Sequence, residues 1–269
     1  MITDWDDAYA NGDHIDGAAD YPPRWAAMAA AFRDECEERA SLDLAYGPGA
    51  RNRFDLFRPK GAARGLVVFV HGGYWRAFDK SSWSWLARGA LAHGWAVAAP
   101  SYTLAPEARI ADITREVGAA LEAAAAMIEG PIRLSGHSAG GHLVTRMMCA
   151  DTPVSPDLAA RIERVVSISG VHDLRPLLRL RLNGDLRLDA AEADAESPAL
   201  LSPRSDARLI CHAGAEERPE FRRQSALLAN IWRGLGVDTV AEETAGRHHF
   251  DVIDGLADPD HPLTGTLCD

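Results

Sequence analysis

Apolar residues along this chain follow two rhythms. Short, nearly continuous apolar runs occur at "GLVVFVHGG" (65–73), "WAVAAPSY" (95–102), "PIRLSGHS" (131–138), "RVVSISGV" (164–171) and "RLICHAGA" (208–215). Runs of this length read as strands buried on both faces. Between them lie stretches with helical spacing: "SSWSWLARGALAHG" (81–94), "ADITREVGAALEAAAAMIEG" (111–130), "AGGHLVTRMMCA" (139–150) and "PEFRRQSALLANIWRGLG" (219–236). "RNRFDLFRP" (51–59) reads as a strand neighbouring 65–73, and "VDTVAEET" (237–244) as the last strand. Strands alternating with helices predict a mostly parallel, twisted sheet covered by helices on both faces, in one α/β domain over 1–269.

Two segments break the rhythm. Residues 172–206 separate two strands by more than a simple crossover needs and predict a small cap over the C-terminal edge of the sheet. Residues 1–40, with "PPRWAAMAAAFRDECEERA" in helical pattern, form a second candidate covering element.

Charge narrows the partners. Lys plus Arg number 28 against 39 Asp plus Glu, a formal net charge of −11, which argues against nucleic acid and against an anionic membrane surface. The acidic "MITDWDDAYANGDHIDG" start lacks the apolar segment of a signal peptide, and no apolar run is long enough to span a bilayer. Cys36, Cys149, Cys211 and Cys268 lack paired or metal-ligand spacing and read as reduced thiols of a cytoplasmic protein. The histidines form no metal pattern, so a small-molecule substrate without metal or organic cofactor is expected. The oligomeric state is left open, a homodimer included.

The chemistry concentrates at three strand ends. "GHSAG" (136–140) follows a strand and opens a helix, the setting in which G-x-S-x-G makes a nucleophile elbow with Ser138 at its tip. A serine needs a base, and the base an orienting acid, in the chain order Ser, Asp/Glu, His. "AGAEERPEF" (213–221) offers Glu217, with Glu216 the runner-up and Asp173 a distant third; "GRHHFDVID" (246–254) offers His248 or His249. "HGGYW" (71–75) lies where an oxyanion loop belongs, so the amides of Gly72, Gly73 and Tyr74, with Ala139, are candidate donors and His71 a brace. Trp75 adjoins that loop and is the candidate pocket aromatic. Trp83 and Trp85 divide evenly between pocket and packing. His142 could sit beneath the pocket, although a structural role is favoured.

These residues resemble the α/β-hydrolase superfamily, and more closely its kynurenine formamidase (arylformamidase) branch. The shared features are HGG followed by aromatics, Gly136 to His142, the D-L-x-P-L segment at Asp173, Leu174, Pro176 and Leu177, then Asn183, Ser197-Pro198, and His249-Phe250-Asp251. "SYTLAPEARI" (101–110) is similar to hormone-sensitive-lipase-like esterases, with Ser101 and Thr103 departing from their Asp and Arg. The resemblance implies an α/β-hydrolase fold, Ser138 as nucleophile, His249 as general base and acid, and an acid at Glu217, where many members carry Asp. It implies cleavage of an aryl formamide such as N-formylkynurenine through an acyl-enzyme. The alternatives are a general carboxylesterase of small acyl esters and a ligand-binding homologue without chemistry.

Overall fold

The computed structural model describes residues 2–204 and 207–269. Eight strands form one sheet: β1 (Ala40–Ala45), β2 (Arg53–Phe57), β3 (Leu66–Val70), β4 (Ala96–Pro100), β5 (Ile132–His137), β6 (Ile162–Ile168), β7 (Arg208–Gly214) and β8 (Thr239–Thr244). Their order is β1-β2-β4-β3-β5-β6-β7-β8. The β1–β2 and β2–β4 pairs are antiparallel and the others parallel. The expected parallel sheet with helices is therefore found.

Strand alternation divides the core between the two faces. Leu66, Val68 and Val70 of β3 pack into one cluster with Ile110, Leu134 and Leu143. Val67 and Phe69 point the other way, into a cluster with Trp25, Trp83 and Trp95. Every β3 residue is buried, as a central strand covered on both sides requires.

Three sequence expectations need correction. Strands β2 and β3 are not neighbours, because β4 lies between them. The 58–65 link easily spans two strand spacings of roughly 5 Å each, so chain adjacency did not force pairing. Residues 81–94 are not one helix: two 3-10 turns, Lys80–Ser82 and Ser84–Leu86, precede a short helix Ala87–Ala92. Trp83 separates the turns at φ −122°, ψ 3°, and the Arg33 guanidinium bonds the Ser81 carbonyl and the Ser84 hydroxyl there. Strand β1 was not anticipated. Its residues are half-buried or exposed, and its register shifts between Ser41 and Leu44, so the edge carries no apolar signature.

The 172–206 segment, whose residues 205 and 206 lie outside the described residues, folds as short turns and helices against one flank. Glu196 anchors it. Its carboxylate accepts from the Thr114 hydroxyl at 2.7 Å and the Arg146 guanidinium at 3.0 Å. Its carbonyl accepts from His142 Nε2 at 2.7 Å. Nothing from 172–204 lines the cavity beside Ser138, whereas residues 9–12 and Trp25 do. The N-terminal segment, not the insertion, encloses that cavity. Among the described residues no helix is long and apolar enough to cross a membrane, and all four cysteines are buried and unpaired. Burial pushes the thiols of Cys149, Cys211 and Cys268 up to about 12, which keeps them protonated.

Candidate active site

Ser138 stands between β5 and the helix Ala139–Arg146 at φ 56°, ψ −117°. A non-glycine residue there is strained by roughly 1–3 kcal/mol, a cost tolerated where the surroundings fix the turn. Its N–H donates to the Ile168 carbonyl at 2.8 Å, and its own carbonyl accepts from His142 N–H at 3.2 Å. The flanking glycines bring the helix hard against the sheet. A Cβ on Gly140 would lie 1.9 Å from the Val70 carbonyl oxygen. This close approach is what the G-x-S-x-G spacing encodes.

The loop after β3 packs directly on this turn. A Cβ on Gly72 would come within 3.0 Å of the Ser138 Cβ, and Gly73 has φ +105°. Tyr74 and Trp75 also adopt positive φ, at 50° and 57°. Such a winding turns successive amides to one side. Among the described residues, the N–H groups of Gly73, Tyr74 and Ala139 donate to no acceptor within the chain. His71 holds the loop from behind. Its Nδ1 donates to the Gly72 carbonyl at 2.8 Å and its ring stacks on Tyr102 at 4.4 Å. Burial lowers its pKa to about 4, so it is neutral and suited to bracing.

The structure brings Glu217 and His249 together. His249 Nδ1 donates to Glu217 Oε2 at 2.7 Å, and the other carboxylate oxygen accepts the Ser169 hydroxyl and the Gly214 N–H, each at 2.6 Å. Burial pushes the Glu217 carboxyl up, but the His249 ring and these donors outweigh it and hold the pKa below the ordinary value. Glu216 is exposed, and Asp173 is paired with Arg175 at 2.9 Å. Of the adjacent histidines, His248 turns outward to the Tyr21 hydroxyl at 3.1 Å, while His249 turns in. The His249 ring is clasped by His137 and Phe221, with centroids at 4.6 and 4.5 Å. His137 Nε2 also donates to the His249 carbonyl at 2.9 Å. Burial and the neighbouring His249 hold His137 neutral.

Ser138 and His249 both line a cavity of about 300 Å³. No hydrogen bond joins them, a looseness common before substrate binds. The geometry can deliver a hydroxyl nucleophile, a proton acceptor oriented by a carboxylate, and unpaired amides at one cavity floor.

The cavity wall differs from the expected one. Trp75 is fully buried in the core, edge-on to His142 with centroids 5.2 Å apart, and neither residue lines the cavity. Trp75 instead packs in the core cluster with Ile110 and Leu143. His142 is buried and held neutral, its pKa lowered to about 3. Trp83 does line the cavity, with its ring 4.7 Å from that of Trp25, while Trp85 is core. Sequence reasoning missed Tyr9, Asn11, Trp25, Phe78 and Phe250 as wall residues, and Ser169 as a partner of the acid. Only the reading of residues 1–40 as a covering element touched this wall, and it named none of its side chains.

Sheet order, strand-end loops and cavity together define a hydrolase of the α/β type. The chain belongs to the alpha/beta hydrolase fold family, whose sequence profile matches residues 67–250. Among characterised relatives, the kynurenine formamidase of Danio rerio is 28% identical over 237 residues, covering 84% of this chain and 80% of that protein. That of Drosophila melanogaster is 26% identical over 243 residues, covering 86% and 78%. Among solved structures, a candidate thioesterase from Silicibacter sp. TM1040 is 52% identical, with a TM-score of 0.94 and 99% of each chain covered. An esterase of the hyperthermophile Pyrobaculum calidifontis superposes with a TM-score of 0.71 at 18% identity, over 93% and 92% of the chains, a likeness of fold.

Proposed function

We propose that this hydrolase is a serine enzyme that transfers the formyl group of an aryl formamide to water through Ser138. The observation that carries the reading is the His249–Glu217 pair at 2.7 Å, whose His249 shares a small aromatic-walled cavity with Ser138. The similarity to kynurenine formamidases supports N-formylkynurenine as the substrate type.

Ser138 Oγ attacks the formyl carbon while His249 Nε2 takes its proton. Glu217 remains ionised and steadies the imidazolium at Nδ1. The amides of Gly73, Tyr74 and Ala139 receive the developing oxyanion. The C–N bond then breaks as His249 returns the proton to the leaving aryl amine. Water attacks the formyl ester, again losing a proton to His249, and formate departs with Ser138 restored. A formyl group needs little room, so the cavity of about 300 Å³ is left for the leaving group.

The 52% identity to a candidate thioesterase favours a second reading, hydrolysis of a thioester by the same steps. A nucleotide-bearing thiol would need cations for its phosphates. At the cavity, Arg76 is already paired with Asp185 at 2.5 Å, and the chain carries a net charge of −11. Formamide cleavage is therefore preferred.

Steady-state kinetics on N-formylkynurenine, 4-nitrophenyl acetate and acetyl-coenzyme A test the choice. The formamide is expected to show a kcat/KM at least about tenfold above the others. A larger value for the nitrophenyl ester makes the protein a carboxylesterase, and a larger value for the thioester makes it a thioesterase. An organophosphonate probe should label Ser138; folded protein that stays unlabelled removes the serine mechanism.

A further inference from the structure

Buried side-chain amides nearly always find partners, because an unpaired donor or acceptor away from water is costly. Asn11 is an exception in the cavity wall. It is 6% exposed, yet among the described residues neither its Nδ2 nor its Oδ1 has a hydrogen-bond partner. The indole N–H groups of Trp25 and Trp83, also in that wall, are buried and unpaired. Three donor groups, one carboxamide and two indoles, and one acceptor are thus left unpaired in residues of an otherwise aromatic wall.

The backbone of Asn11 is firmly held. Its N–H donates to the Tyr9 carbonyl at 3.1 Å, and its carbonyl accepts from His14 N–H at 3.1 Å. Tyr9 is pinned in turn. Its carbonyl accepts from the Tyr74 hydroxyl at 2.6 Å, its own hydroxyl donates to Glu220 at 3.1 Å, and Gln224 donates to that hydroxyl at 3.0 Å. The open amide is therefore fixed relative to the loop that carries the Gly73 and Tyr74 amides. Pre-organised polar groups in an apolar pocket orient a ligand at low entropic cost.

We infer that Asn11 is a specificity-determining residue: its carboxamide, assisted by the indole N–H groups of Trp25 and Trp83, receives a carbonyl-bearing arm on an aromatic leaving group. The aryl ring lies in the cavity against Trp25, Trp83 and Phe250 of its wall, and the arm satisfies the unpaired donors with its carbonyl oxygen. An N–H on the arm, where present, meets Asn11 Oδ1. The inference rests on acyl transfer at Ser138 but not on the formamide reading, because an aryl ester presents the same leaving group.

The test compares phenyl acetate with 2-carbamoylphenyl acetate, and formanilide with N-formylkynurenine, on the native protein and on Asn11→Ala and Asn11→Leu. In each pair that is turned over, the kcat/KM preference for the armed substrate should fall about tenfold in both variants. Because Asn11 gives up no partner, the near-isosteric Asn11→Leu should melt no lower than the native protein. A preference unchanged within about twofold overturns the inference, as does a lower melting temperature with equal losses on both members of a pair. Inert formamides beside active esters would remove the formamidase reading and leave the ester pair to judge Asn11. Titration of tryptophan fluorescence with 2-hydroxybenzamide and with phenol reads the same preference without turnover: the native protein should favour the amide and the variants should not.

Discussion

Glu217 and Asn11 are both buried polar side chains, one behind the His249 that lines the cavity and the other in the cavity wall, and they are treated oppositely. The Glu217 carboxylate accepts from His249, Ser169 and Gly214, while the Asn11 amide has no partner. The first follows β7 and, in the proposed mechanism, belongs to machinery that must be in place before substrate arrives. The second sits on the N-terminal segment and is completed only by what enters. Pre-organisation of the reacting groups and openness of the recognition wall are separate properties, set by different parts of the chain.

The comparison breaks most directly at the machinery. Ser138→Ala should lower kcat by at least about 10⁴-fold, because removing a nucleophile leaves only binding and oxyanion contributions. Thermal melting should change little, since the Ser138 hydroxyl makes no hydrogen bond among the described residues. Retained turnover would mean the pair at His249 and Glu217 serves another group.

Next in size is Glu217→Gln. It keeps the shape but removes the charge that fixes His249, and a loss of about 10³–10⁴-fold in kcat is expected by analogy with other triads. The pH dependence has a definite sign. The native carboxyl is held below its ordinary value of 4.5, so its stabilising contribution is complete above that value and is lost as pH falls through the depressed native pKa. Melting curves across the acid range should therefore fall less steeply for Glu217→Gln than for the native protein. Parallel curves would show that the charge contributes nothing to stability.

The two tryptophans flanking the 76–82 stretch sharpen the contrast further. Trp75 is core and Trp83 is wall, so Trp75→Ala should cost about 3–5 kcal/mol of stability. Trp83→Ala should raise KM for aromatic substrates by more than it lowers kcat. Urea titration and steady-state kinetics on both variants decide this, and reversed effects would return Trp75 to the pocket.

The same contrast explains what could be read from the sequence. Ser138, Glu217 and His249 were legible because each follows a strand, and a parallel sheet gathers strand ends along one edge. The glycines of "HGG" and "GHSAG" were legible because close backbone approach excludes side chains, and only a few residues satisfy that. Asn11, Trp25 and Phe250 were not, because they meet only through long-range packing of a segment with no strand to fix its position. The Trp75–Trp83 exchange was illegible for a related reason: both lie in irregular chain, where positive φ and a non-helical turn decide which way a ring points. Strand β1 failed differently, since its half-buried and exposed residues and the register shift between Ser41 and Leu44 leave no regular rhythm.

The smallest expected effect lies at the seam between the two regions. The Tyr74 hydroxyl donates to the Tyr9 carbonyl at 2.6 Å and ties the proposed oxyanion loop to the N-terminal segment. Tyr74→Phe keeps the ring and the backbone amide and deletes that one bond, worth about 1 kcal/mol. If the bond only positions the wall, KM for an armed aryl substrate should rise about three- to tenfold while kcat stays within about twofold. If it also sets the pitch of the loop, kcat falls with KM unchanged, because the Gly73 and Tyr74 amides would no longer meet the oxyanion squarely. The second result would break the comparison, since one hydrogen bond would then couple recognition to chemistry. The packing of the partly buried ring against the core and the independent brace from His71 on Gly72 favour the first.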